Sequence, residues 1–152
     1  MKRLILAALC CISLCISAQE ETIGSFFKNM PDTLMPYLSH NNRLDMIDFM
    51  EAQMKAEVTN LMGGKSEMTS LTADSLSIRM NVMLQVDMKL TTPEQPSDSS
   101  RHVISLWRTY TLNGQLDERI HDVYTTDWHL LSSRVERSTL LRRDEKIRQD
   151  KK

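Results

Sequence analysis

The residues best suited to chemistry lie close together: His121, Asp122, Tyr124, Asp127 and His129. An imidazole beside carboxylates can serve as a general base, provided that it lies within hydrogen-bond reach of the proton it takes. Linear spacing does not supply that reach. None of the four histidines (His40, His102, His121, His129) forms an H-x-x-x-H or H-x-H pair, so a histidine-held metal on one helix or strand has no sequence signature. No G-x-S-x-G, phosphate loop or dinucleotide fingerprint occurs. The chain offers one acid–base region, residues 121–129, and no catalytic residue that spacing alone assigns. Polar side chains on an exposed strand and turn account for the same pattern. No metal ligand set and no cofactor is expected.

Methionine is the other abundant chemical group, with 11 in the chain. Met46, Met50 and Met54 repeat at a spacing of four, which on a helix would present thioethers to a soft ion such as Cu(I). Methionine also fills irregular gaps in cores, and core packing is the preferred reading. The aromatic residues of the second half, Trp107, Tyr110, Tyr124 and Trp128, together with His121 and His129, make the expected ligand or partner surface.

These residues need elements to position them, and the pattern supplies a helix followed by strands. Leu44, Ile47, Met50, Met54, Val58 and Leu61 follow at steps of three or four, with Met46 and Met62 at the edges of the stripe. That is one apolar arc at about 100° per residue. Asn42 is the expected N-cap, with Asp45 in the first turn. Two ends fit: a helix to Met62 stopped by Gly63, or a helix ending near Lys55 with residues 56–61 extended. Upstream, Ile23, Phe26, Phe27 and Met30 predict a short helix ended by Pro31.

After Gly63-Gly64 the period changes from 3.6 to 2. Leu76, Ile78 and Met80 alternate with polar residues, as do Val82, Leu84, Val86, Met88 and Leu90. Alternation marks strands with one buried face. Parity is kept through Asn81, which fits one bent strand or two strands and a tight turn. Residues 91–100, with two prolines and no apolar anchor, read as an exposed, mobile loop. Residues 102–111 form a strand with Ile104, Leu106 and Tyr110 on one face and Val103 and Trp107 on the other. Asn113-Gly114 is a type I′ hairpin signal, residues 116–125 return, and residues 128–135 make a final short strand. The expected fold is α+β: N-terminal helices packed on an antiparallel meander of four or five strands.

The stretches NNRLDMIDFM, KAEVTNLMGGKSEMTSLTADSLSIRM and VYTTDW together resemble an uncharacterised Bacteroidales-type family of small exported proteins, a domain of unknown function. The resemblance covers most of the chain beyond residue 18. It implies export and transfers no activity, cofactor or catalytic residue.

The N-terminus carries its own export reading. Lys2 and Arg3 precede an apolar run over residues 4–16, 13 residues long, where a membrane span needs about 20. Ser17 and Ala18 then lead to Gln19. This predicts a cleaved signal peptide over residues 1–18, a single α+β domain over 19–135 and a charged tail over 136–152. All three cysteines (Cys10, Cys11, Cys15) fall in the apolar run, so cleavage would leave none and exclude disulfides, thiolate nucleophiles and Cys-based zinc sites. Leu14 before Cys15 departs from the small residue of a lipidation site. Beyond residue 18 there are 17 Lys/Arg against 20 Asp/Glu, a net charge of −3 that does not suggest nucleic acid as a partner. No second apolar run spans a membrane. From Arg134 onward eight basic residues face four acids, which reads as a solvated helix or frayed tail, with contact to an anionic envelope surface as the functional alternative. Thr33, after Asp32, and Ser75, after Asp74, are similar to the Asp–Ser/Thr–aliphatic acceptor of O-glycosylation in exported proteins of this bacterial group; ordinary turn chemistry is the preferred reading.

The sequence therefore predicts an exported, non-enzymatic binding or interaction module of the periplasm or outer membrane, its partner an envelope protein or a small apolar ligand. The alternative is a small periplasmic hydrolase using the region from His121 to His129. A third reading is a structural component that self-associates through an edge strand.

Overall fold

The computed structural model describes residues 21–92 and 102–138. The expected signal peptide over residues 1–18, most of the proline-bearing loop and the expected tail beyond Ser138 lie outside the described residues. Two helices precede seven strands: α1 (Ile23–Lys28), a 3-10 turn (Asp32–Leu34), α2 (His40–Glu51), β1 (Ala56–Thr59), β2 (Lys65–Leu71), β3 (Ser75–Arg79), β4 (Leu84–Thr91), β5 (Val103–Leu112), β6 (Gln115–Tyr124) and β7 (Leu130–Arg137). The strands form one sheet in chain order, every pair antiparallel. The fold is α+β and mostly sheet, with seven strands in place of the expected four or five. The difference comes from β1, whose spacing fits a helix as well as a strand, from β2, where a polar Ser66 is buried and a bulge between Met68 and Ser70 breaks the alternation, and from Asn81. The Asn81 side-chain oxygen accepts from the backbone N–H of both Met83 and Leu84, 2.8 Å each, and turns the chain between β3 and β4. Val82, expected in a strand, sits at that turn and is exposed.

α2 begins three residues earlier than its expected cap. Ser39 is the N-cap, and Asn42 completes a reciprocal capping box: the Asn42 N–H donates to Ser39 Oγ while the Ser39 N–H donates to Asn42 Oδ1. The helix stops at Glu51, with Gln53 in the left-handed region. Of the two ends that the sequence allowed, the shorter one is correct. Met54, Leu61 and Met62, expected on the core stripe, are therefore off the helix and exposed. The buried face is Arg43, Met46 and Ile47, with Leu44, Phe49 and Met50 half-buried. Met46 lies in the core and Met54 leaves the helix, so no row of three thioethers forms.

α1 and α2 pack on one face of the sheet over β1 to β4. Ile23 and Phe27 from α1, Met46 and Ile47 from α2, and Met68, Leu76, Ile78, Val86, Met88, Ile104 and Leu106 from the strands make a single core. Burying one such side chain contributes about 1.5–3 kcal/mol. The Asn113-Gly114 hairpin forms as the sequence predicts, both residues having positive φ (51° and 76°).

Candidate functional site

Sheet register divides the candidate residues between the two faces. Directly opposed residues share a face in an antiparallel pair. Ile104, Leu106, Arg108 and Tyr110 on β5 therefore share the helix-side face with Tyr124, Asp122, Ile120 and Glu118 on β6. Trp107 and His121 oppose each other on the outer face. His121 and the pair Asp122 and Tyr124 consequently point to opposite sides of β6, because side chains alternate with period 2.

The outer face is polar over β1 to β4 and changes character at β5. One row across the strands reads Asp87, Trp107, His121, Arg134. The Trp107 and His121 rings stack, centroids 4.6 Å apart and 7° from parallel. Around them a concavity of about 600 Å³ is lined by Val103, Val123 and Leu131 on the apolar side, and by Thr91, Ser105, Ser132 and Arg134 on the polar side. A bulge helps to shape it: Val123 opposes Ser132 but Tyr124 opposes Leu130, which leaves Leu131 as the extra residue. His121 Nε2 is buried without a hydrogen-bond partner among the described residues. Burial, and then the Arg119 and Arg134 guanidinium groups, lower the imidazole pKa below its usual value, so this ring is held neutral.

The helix-side face of β5 to β7 carries a different group. Asp122 is 3% exposed and accepts from Arg108, from the Ser133 hydroxyl and, at 3.4 Å, from the Tyr124 hydroxyl. Burial, then the Asp122 carboxylate, raise the Tyr124 pKa. Trp128 packs on Tyr124 with ring centroids 5.8 Å apart, at a positive φ of 68°. Tyr110 is half-buried against the core on the same face. His129 sits at the β6–β7 turn, exposed, its Nδ1 2.8 Å from Asp127 Oδ2. The Thr125 hydroxyl and then His129 hold the Asp127 carboxyl below its usual range. The six aromatic and histidine candidates thus fall into three places: Trp107 with His121 on the outer face, Tyr110, Tyr124 and Trp128 on the helix side, and His129 at the turn.

Of the two hydroxyl candidates, Thr33 is exposed in the 3-10 turn. Ser75 opens β3 half-buried, its hydroxyl 2.8 Å from that of Thr72. Thr72 also donates to Asp74 and depresses its carboxyl pKa. A second concavity, about 810 Å³, lies between α1, α2 and the β2–β3 turn, with Lys28, His40 and Glu51 at its rim. It gathers none of the aromatic candidates. Among the described residues no three His, Cys, Asp or Glu side chains cluster as a metal site, and no helix is long and apolar enough to cross a membrane.

Sequence reasoning missed Val103, Ser105 and Val123 as lining residues, and it read Arg134, at the end of the last expected strand, only as the start of a charge-rich stretch. The signal was present in the run of alternation from Val103 to Trp107, which puts apolar residues on the face opposite α1 and α2.

The fold and the stacked pair define an α+β protein whose seven-stranded meander carries helices on one side over β1 to β4 and a concavity on the other side toward β7. The chain matches the family described as "Protein of unknown function (DUF3256)" over residues 15–146, and it belongs to that family. It is also similar to the solved structure of a domain of an uncharacterized protein from Porphyromonas gingivalis W83, with a TM-score of 0.57 and 22% identity. That match covers 72% of this chain and 53% of the other, so this chain spans about half the length of the solved one. At this identity the likeness shows the fold. Comparison with curated proteins gave no match.

Proposed function

We propose that the protein is an exported, non-enzymatic binding module of the cell envelope, and that the outer-face concavity holds a small, largely apolar ligand with an acidic end. The stacked Trp107 and His121 rings at the floor of that concavity carry the reading. A neutral imidazole beside an indole is a flat apolar platform, and pockets that hold small molecules combine such surfaces with a few placed polar groups. Arg134 at the rim supplies a guanidinium for a carboxylate or sulfonate. The signal-like N-terminus supports export, and cleavage after Ala18 predicts a purified protein that begins at Gln19, which intact-mass measurement checks.

The binding test uses anilinonaphthalene sulfonate, an aromatic anion. The two tryptophans sit on opposite faces, so Trp128→Phe leaves Trp107 as the sole indole reporter. We expect the probe to quench that indole and, read by the probe's own emission, Trp107→Ala or Arg134→Gln to weaken binding by about ten-fold, the loss of one good contact. Equal binding to the Trp107→Ala protein, its fold verified by circular dichroism, would overturn the reading.

A further inference from the structure

We propose that β7 is a homodimer interface, through which two copies pair antiparallel about a two-fold axis at Val135 and continue the sheet from one protomer into the other. The two edges of the sheet are treated differently. β1 is four residues long, and the Asn42 side chain donates to the Thr59 carbonyl at 3.3 Å, so α2 blunts that edge. β7 is eight residues long and exposed throughout, with Leu130, Leu131 and Val135 each about half-exposed. No described element pairs with its outer side. A long edge strand of this kind is a template for another strand.

The register of the pairing follows from the backbone. The Ser138 N–H donates to the Asp117 carbonyl at 2.9 Å, which fixes the hydrogen-bonding phase of β6 and β7. Pairs alternate from there, so Ser132, Arg134 and Glu136 bond inward to β6. Ser133 and Val135 turn their N–H and C=O groups away from it. A second strand must therefore meet β7 at the odd-numbered residues. Placing the two-fold at Val135 satisfies that phase and sets Val135 against Val135 of the second copy. The same register places Arg134 opposite Glu136 of the second copy, and Glu136 opposite its Arg134. These are non-hydrogen-bonded pairs, the closest positions in an antiparallel ladder. Opposite charges there are favourable and like charges unfavourable. Shifting the axis to Ser133 keeps the phase but faces Arg134 with Ser132, and both ion pairs are lost. The strand is self-complementary at one register, as an isologous interface requires.

The pairing also bears on the concavity. Arg134 stands at its rim, so Glu136 of the second copy would compete with the acidic end of a ligand for that guanidinium. The dimer itself does not depend on what the concavity holds.

The test is sedimentation equilibrium of the full-length protein, read as a dimerisation constant, with charge reversal at the two positions. Here sedimentation should show a concentration-dependent dimer. Arg134→Glu or Glu136→Arg alone should weaken it about ten-fold or more, since two attractive pairs become repulsive. The double reversal, R134E with E136R, should restore it. Circular dichroism verifies the fold of each variant, and Val135→Pro, which removes only an outward N–H, is a second disruption that leaves the charges in place. A monomer at every concentration, or a dimer indifferent to both charge reversals and to the proline, would overturn the proposal. Binding of anilinonaphthalene sulfonate by a monomeric protein would leave the ligand reading standing while this one fell.

Discussion

His121 joins a titratable group to an apolar surface. Its ring lies against Trp107, its Nε2 is buried, and two guanidinium groups, Arg119 on its own strand and Arg134 on β7, oppose its protonation. Asp122 and Glu136 act the other way but more weakly. The folded state therefore binds this proton less readily than the unfolded chain does. Its neutral form contributes fully above the ordinary histidine pKa of about 6.5. That contribution is lost as pH falls below this value toward the lowered pKa of the folded protein, and the loss levels off beneath it. In wild type the urea midpoint should drop between pH of about 7.5 and 5.5, and His121→Gln should flatten that part of the profile. An unchanged slope in the variant would mean that other groups govern the acid limb. The same protonation should weaken an apolar ligand at Trp107, because it places a hydrated cation on the platform.

At the scale of elements, Arg43 ties α2 to the segment before it. This arginine is 1% exposed, yet it sits on the buried face of the helix. Nη1 donates to the Leu38 carbonyl at 3.1 Å, and Nη2 to the Met30 carbonyl at 2.8 Å, with Asp32 2.9 Å away as counter-charge. A planar fork reaches two carbonyls at once; a lysine ammonium does not offer that geometry. Arg43→Met keeps most of the volume but leaves two carbonyls of buried residues unpaired, and should cost roughly 2–4 kcal/mol in a urea titration. This element also shows where the sequence was legible. Apolar spacing placed a helix at α2, but the stripe through Leu44 and Met54 was rotated from the true one through Arg43, Met46 and Ile47. A charged residue on the core side breaks any reading that equates burial with apolarity. β1 was hidden for a related reason: Val58 and Leu61 prolong a helical spacing by coincidence, and only the break at Glu51 separates them. The strands from Leu76 onward were legible because alternation and the Asn113-Gly114 turn agree. Face assignment at Trp107 followed from parity, whereas its stacking on His121 needed the β5–β6 register, which a bulge between Tyr110 and Thr111 sets.

Across the whole molecule the helices and the sheet are unequal in extent. α1 and α2 lie over β1 to β4, and the buried apolar core reaches β5 and Tyr124. Beyond that line the helix-side face carries Arg108, Asp122 and Ser133 in place of a core, and no residue of β7 is buried. Stability within a fold follows the density of buried apolar contacts, so regions that lack them open at lower free energy than the global unfolding. The meander order makes this end separable: among the described strands β7 pairs only with β6, so it can detach without breaking any other described strand pair. Native-state amide exchange on dilute, monomeric protein should therefore show two levels. Inward-bonded amides of β7, at Ser132, Arg134 and Glu136, should exchange at least about ten-fold faster than those of β3 to β5, a gap of roughly 1.4 kcal/mol or more in opening free energy. Uniform protection across the seven strands would mean that the Asp122 cluster couples the outer hairpin to the core as firmly as apolar packing would. Raising the protein concentration should close the gap in the wild type and leave it open in the Glu136→Arg variant, because only a second copy at the β7 edge lends that strand a second row of hydrogen bonds.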